Sequence, residues 1–118
     1  MTSDRRPRLY DVWKLEFEYE DQPGITKSRP VVVGALDDER AVVLAVKVTG
    51  HGPRPEFPGE VRLEDWRQAG LDKPSVARCS KTLIVPMQAF EGKVRYGTLS
   101  DGDSLRVARA LREVGATL

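Results

Sequence analysis

Between residues 10 and 19 apolar and polar side chains alternate, with Trp13, Leu15, Phe17 and Tyr19 separated by Lys14, Glu16 and Glu18. A period of two sends one set to a core and the other to water, and it predicts a half-buried β-strand. Glu20 to Arg29 breaks the alternation with Pro23, Gly24 and several polar residues, so a loop is expected there. Pro30 then heads the run Val31-Val32-Val33. Proline is tolerated at the first residue of a strand, where its missing N–H costs least. Asp37 to Arg40 reads as a polar turn and Ala41 to Val48 as the returning strand, which together make a hairpin. From Thr49 to Gly59 the chain crowds Gly50, Gly52, Pro53, Pro55, Pro58 and Gly59 into a long loop. In compact domains such loops tend to be functional or mobile. Leu63 to Gly70 is expected to form a short helix ended by glycine. Val76 to Val85 and Lys93 to Leu99 are two further strands. Ser100 followed by Asp103 matches an N-terminal helix cap, and Leu105, Ala108 and Leu111 then recur at helical spacing. Arg106, Arg109 and Arg112 would face away from that stripe or border it.

Five or six short strands and one terminal helix predict a mainly β fold: a strongly curved sheet or partly open barrel, its helix covering one face or end. Trp13, Leu15, Val32, Val43, Val76 and Leu99 are the expected buried positions. A length of 118 residues gives a single domain, 1–118, able to bury one core without a disulfide or metal. Residues 1–8 are expected to be a flexible arm. No repeat, low-complexity tract or linker interrupts the chain.

Composition narrows the function more than the fold. With 40% apolar and 31% charged residues the profile is that of a folded globular chain. No stretch approaches the ~18 consecutive apolar residues of a membrane span. Arg5, Arg6 and Arg8 are not followed by the apolar segment of a signal peptide, so no membrane partner and a cytoplasmic location are expected. One cysteine (Cys79) and one histidine (His51) exclude an internal disulfide and a tetrahedral zinc set, and no metal or cofactor is expected. The formal net charge is +1. A nucleic-acid binder of that charge must rely on a local patch.

Four collinear motifs resemble the PemK/MazF toxins over roughly Leu9 to Leu111. They are Asp11-Val12-Trp13 at a strand opening, Lys27-Ser28-Arg29-Pro30 before the valine run, Ala45-Val46-Lys47-Val48-Thr49 ending a strand in threonine, and a tail. The tail runs Gly70-Leu71, a short polar link, Ser75-Val76, and Gly97-Thr98-Leu99-Ser100 before the closing helix. The resemblance implies an SH3-like small barrel with a short helix and a C-terminal helix, assembled as a homodimer. It further implies a toxin that cleaves single-stranded RNA without metal, leaving a 2′,3′-cyclic phosphate, and is neutralised by a cognate antitoxin through an acidic, disordered segment.

Metal-free RNA cleavage requires that the 2′-OH lose its proton in line with the phosphorus, that the added negative charge be stabilised, and that the leaving 5′-oxygen be protonated. Arg29 suits the second task, since a guanidinium stays protonated and can fork two phosphate oxygens. It can equally be a surface arginine paired with Glu18, Glu20 or Asp21. The resemblance assigns Thr49 a place near the scissile phosphate, where a hydroxyl can position or relay a proton. Thr49 alone also reads as a loop-start cap on its own backbone. Lys27, Lys47 and Lys81 are candidate RNA contacts or solvated lysines, and His51 is an acid–base candidate or an exposed loop residue. Trp66 is read as helix packing, with base stacking as its alternative. Two departures from the family pattern, Gly50 in place of serine and Cys79-Ser80-Lys81 in place of an acidic residue and glutamine, bear on specificity and efficiency. They keep open a barrel that only binds RNA or protein. A gyrase-inhibiting toxin on the same barrel is the other rival, and the pair Arg29 and Thr49 argues against it.

Overall fold

The computed structural model of the chain describes residues 6–19, 22–53 and 56–118. Most of the expected arm, and the carboxylates Glu20 and Asp21 considered as partners for Arg29, lie outside the described residues. Six strands are formed: β1 (Asp11–Tyr19), β2 (Gln22–Asp37), β3 (Val42–Thr49), β4 (Glu60–Leu63), β5 (Ser75–Pro86) and β6 (Arg95–Thr98). A 3₁₀ turn at Met87–Phe90 precedes β6, and helix α1 (Asp101–Val114) closes the chain. The strands make one antiparallel sheet in the order β4-β5-β3-β2-β1-β6, curled into a half-barrel, as the mainly β expectation required.

Pleating sends alternate residues to opposite faces, and near the middle of this sheet both faces are covered. On the helix side, Val12, Val32, Leu44, Val46, Ala77, Cys79 and Leu99 pack with Val107, Ala110 and Leu111 of α1. On the opposite side, Trp13, Leu15, Val31, Val33, Val43, Ala45 and Phe90 form a second cluster, in which the Trp13 and Phe90 rings meet edge to face at 5.3 Å. Burial on both faces explains the uninterrupted Val31-Val32-Val33 run. All six expected core residues are buried.

Several elements differ from expectation. Of the expected Glu20–Arg29 loop, the described part, Gln22–Arg29, is instead the first half of β2, because backbone pairing with β1 needs no apolar pattern. Glu60–Leu63 is a short edge strand on β5. The helix expected at Leu63–Gly70 is a run of turns, with Ala69 N–H donating to the Asp65 carbonyl and Gly70 N–H to that of Arg67. Gly70 adopts φ +85° with its Cα against the Tyr96 backbone, a place only glycine fills without strain. In α1 the buried stripe is Val107, Ala110 and Leu111, whereas Leu105 is 66% exposed. Asp103 shifts the stripe, because it is fully buried at the first turn. Its carboxylate accepts the Glu64 and Asp65 N–H groups at 3.0 and 2.9 Å and pairs with Arg106, while its own N–H donates to Ser100 Oγ, the expected cap. That buried carboxylate ties the turn after β4 to the helix. Asp11 does similar work for the N-terminal segment, accepting from Arg8 N–H, Trp13 Nε1 and Thr98 Oγ1.

Candidate functional site

On the sheet face opposite α1, the strand registers lay out two adjoining rows of side chains. The first row reads Trp13, Val31, Lys47, Arg78, Glu60 across β1, β2, β3, β5 and β4. The second begins with Leu15 opposite Arg29 and ends with Thr49 opposite Val76 and Val76 opposite Arg62. The β2–β3 ladder stops at Val31 and Lys47, and Arg29 and Thr49 each stand two residues beyond that pair, on the same face of their strands. Lys27, opposite Phe17, follows Arg29 on that face. Arg29, Thr49, Lys47 and Lys27 therefore share one surface although 22 positions of sequence separate the outermost, because a hairpin folds β3 back on β2.

Where the apolar cluster ends, cations begin. Arg29 and Lys27 are exposed, and neither pairs with a carboxylate among the described residues. Glu18, the described candidate partner for Arg29, stands on the opposite face of β1 and accepts the Gly24 N–H at 2.6 Å. Lys47 is half-buried, and its Nζ reaches across β2 to lie 5.3 Å from the Phe17 ring centroid. An ammonium held over an aromatic face keeps its charge available toward solvent. Thr49 is half-buried, and its Oγ1 accepts the His51 N–H at 3.4 Å. The loop-start cap is thus present, and the hydroxyl still carries its own proton to donate. His51 is exposed in the loop, and its backbone N–H is what ties it to Thr49 among the described residues.

Lys81 enters by a different route. Its Nζ stands 5.7 Å from the Phe57 ring, and the same ring is covered by the Arg78 guanidinium at 4.9 Å. Arg78 is in turn fixed by Glu60, Nε to Oε2 at 2.7 Å, with the Glu60 side chain only 2% exposed. Arg78 and Phe57 had no sequence signal of their own. The pairing Lys47↔Arg78, which a register alone reveals, is what brings Arg78 beside the expected lysine. Trp66 lies away from this surface, packed on the helix-side core under Arg67. Cys79, adjacent to Arg78, points into that same core, where burial pushes its thiol up to about 12 and its Sγ faces the Val107 carbonyl. It is a protonated packing group, not a nucleophile.

The face as a whole carries Lys27, Arg29, Lys47, Arg62, Arg78 and Lys81 beside a threonine hydroxyl and two aromatic rings. A chain of net charge +1 thereby acquires a local basic patch. Guanidinium and ammonium groups can stabilise charge on a phosphorane-like transition state, and no side chain here sets up a nucleophile of its own. Among the described residues no group of three or more His, Cys, Asp or Glu could hold a metal ion.

The profile of the PemK-like, MazF-like toxin of type II toxin–antitoxin systems matches residues 8–115. Among solved structures, a chain of the MazE–MazF crystal structure (Form III) from Deinococcus radiodurans superposes with a TM-score of 0.71 at 14% identity, covering 97% of this chain and 100% of that one. An endoribonuclease in complex with its cognate antitoxin, from a mycobacterial species, gives 0.68 at 15% identity over 95% and 98%. The Mycobacterium tuberculosis toxin MazF-mt6 gives 0.60 at 21% identity over 87% and 95%. No curated protein sequence matches the chain.

Proposed function

The chain belongs to the PemK-like, MazF-like toxins of type II toxin–antitoxin systems, and from that premise we propose that it is an endoribonuclease cutting single-stranded RNA without a metal ion. The observation that supports the reading is the common face of Arg29 and Thr49, each two residues beyond the last β2–β3 pair Val31↔Lys47. In the proposed reaction the 2′-oxygen attacks the adjacent phosphorus, the new O–P bond forms, and the bond to the 5′-oxygen breaks. The 2′-OH releases a proton and the leaving oxygen gains one, so the products end in a 2′,3′-cyclic phosphate and a 5′-OH. Arg29 stabilises the charge that builds on the phosphoryl oxygens. Thr49 positions the phosphate or relays a proton through its hydroxyl. Lys27, Lys47 and Lys81 hold the backbone on either side, and His51 lies close enough in sequence to assist the proton transfer.

The same cations suit an acidic antitoxin segment, disordered when free and ordered on contact, which would block the RNA site by pairing carboxylates with Arg29 and its neighbours. A homodimer with each Arg29 at the edge of a shared groove, acting in the cytoplasm, completes the reading; light scattering at micromolar concentration should return twice the chain mass.

The test uses purified protein, free of antitoxin, with long single-stranded RNA in excess EDTA. Cleavage is expected to persist, to leave 2′,3′-cyclic ends, and to fail where the cleaved nucleotide is 2′-deoxy. Diverse RNAs left intact by the wild type would overturn the reading in favour of a barrel that only binds.

A further inference from the structure

The β5 side of Thr49 carries a cation that the site residues above do not include. Lys73 lies in the link between Gly70 and β5, and the backbone of that link is fixed at both ends. Leu71 N–H donates to the Trp66 carbonyl at 3.0 Å, and Ser75 Oγ donates to the Lys73 carbonyl at 2.9 Å. Ser75 then pairs with Leu63 and Val76 with Thr49, so Lys73 is delivered to the end of β3. Its side chain lies along the Gly50 backbone: a Cβ at position 50 would stand 2.9 Å from Lys73 Cε and 3.1 Å from Nζ. The absence of a side chain at Gly50 is therefore what makes room for the lysine. Among the described residues Lys73 makes no ion pair. A long stem laid on backbone with a charged head in water is the usual compromise for lysine, and here it brings the head against Gly50, the residue after Thr49.

We propose that Lys73 is a phosphate-binding residue of the RNA site, contacting a backbone phosphate adjacent to the one held by Arg29 and Thr49, in a seat created by Gly50. β3 lies between β2, which carries Arg29, and β5, which the Lys73 link leads into. A single strand crossing the end of β3 meets Arg29, then Thr49, then Lys73. The inference rests on the RNA reading above, and it gives the glycine at position 50 a role: it leaves room for an ammonium delivered by the link before β5.

The experiment measures binding of a uniformly 2′-O-methylated single-stranded oligoribonucleotide, which offers phosphates but no attacking 2′-OH, by fluorescence anisotropy over a salt series. Lys73→Met should weaken binding about tenfold at low salt and reduce the slope of log K against log salt by about 0.7, the value of one phosphate contact on a single strand. Lys73→Arg should retain most of the affinity. Gly50→Ala should give a partial loss, since its methyl displaces only the flexible end of Lys73 and the Gly50 backbone is not in the left-handed region. All three variants should melt at the wild-type temperature. Unchanged affinity and slope in Lys73→Met would overturn the proposal while leaving the nuclease reading intact. If the wild type cuts no RNA but binds the oligonucleotide with a Lys73-dependent slope, the nuclease reading falls and this contact stands. A wild type that binds no oligonucleotide at any salt overturns both.

Discussion

Val31–Val33 and Gln22–Arg29 belong to the same strand and pair with β1 through the same antiparallel ladder, yet the first three residues expose no surface while Gln22–Arg29 is exposed throughout. The difference lies in the neighbours. Val31–Val33 has β3 on its other edge and an apolar layer on each face, whereas Gln22–Arg29 has only β1 beside it, since pairing with β3 begins at Val31. Where a strand is covered on four sides its side chains hold the fold together. Where it runs on as one half of a ribbon, its side chains are free to meet a ligand. Arg29 stands two residues beyond the boundary, close enough to the rigid part to be positioned and far enough to be solvated.

That division can be tested by cutting on each side of it. Phe90→Ala, on the buried side, removes the ring that meets Trp13 edge to face and should cost about 3–5 kcal/mol of stability by urea unfolding. Any residual activity should then track the folded fraction. Arg29→Ala, on the exposed side, should cost about a hundredfold or more in cleavage rate, close to 2.7 kcal/mol of barrier, with an unchanged unfolding midpoint. A rate that survives Arg29→Ala would remove Arg29 from the site, and a large loss of stability would show that the boundary has been drawn in the wrong place. Thr49→Val should slow cleavage about tenfold, because the loop-start bond from His51 and the hydroxyl's own proton are both lost. Its stability should fall only slightly, as the bond is long and exposed.

The same contrast decides what could be read from the sequence. The covered half of the molecule is written in apolar pattern: β1 alternates, the three valines form a run, and the Ser100–Asp103 cap marks where α1 starts. The ribbon half is not, because hydrogen bonding to β1 holds Gln22–Arg29 in strand without any apolar requirement, and a stretch with Pro23 and Gly24 then looks like loop. β4 escaped notice for a related reason, being four residues long with only Val61 and Leu63 facing the core. The helix stripe was misplaced because a buried carboxylate, Asp103, occupies a core position that periodicity reserves for apolar residues. Of the candidate site, Arg29 and Thr49 were named from a family resemblance and their chemistry, and Lys47 from its place two residues before Thr49 on one strand face; the register adds why Arg29 and Lys27 share that face. Arg78, Phe57 and Lys73 reach the site through cross-strand pairing, ring stacking and a glycine seat. None of these leaves a mark in local sequence.

The finest version of the comparison is between two adjacent residues, Arg78 on the site face and Cys79 in the helix-side core, and pH separates them. Burial raises the Cys79 thiol from 9.0 to about 12 in the folded chain, whereas the unfolded chain titrates it near its ordinary value. Between those two values the folded protein keeps a proton that the unfolded protein has released. The unfolded state then binds fewer protons, so stability falls as pH rises through that window, and below it the thiol contributes no slope. By about pH 9.5 the loss from this one group should be about 1 kcal/mol. Tyrosines and lysines begin to titrate in the same range, so the quantity to measure is the difference between wild type and Cys79→Ala in urea unfolding, near neutral pH and again near pH 9.5. The variant should start less stable, having lost a buried sulfur, and the gap should narrow by about 1 kcal/mol at the higher pH. A gap that stays constant would mean that the thiol is not held in the core as described. RNA cleavage near neutral pH should be unaffected by Cys79→Ala when both proteins are folded, since the thiol and the Arg78 guanidinium lie on opposite faces of β5.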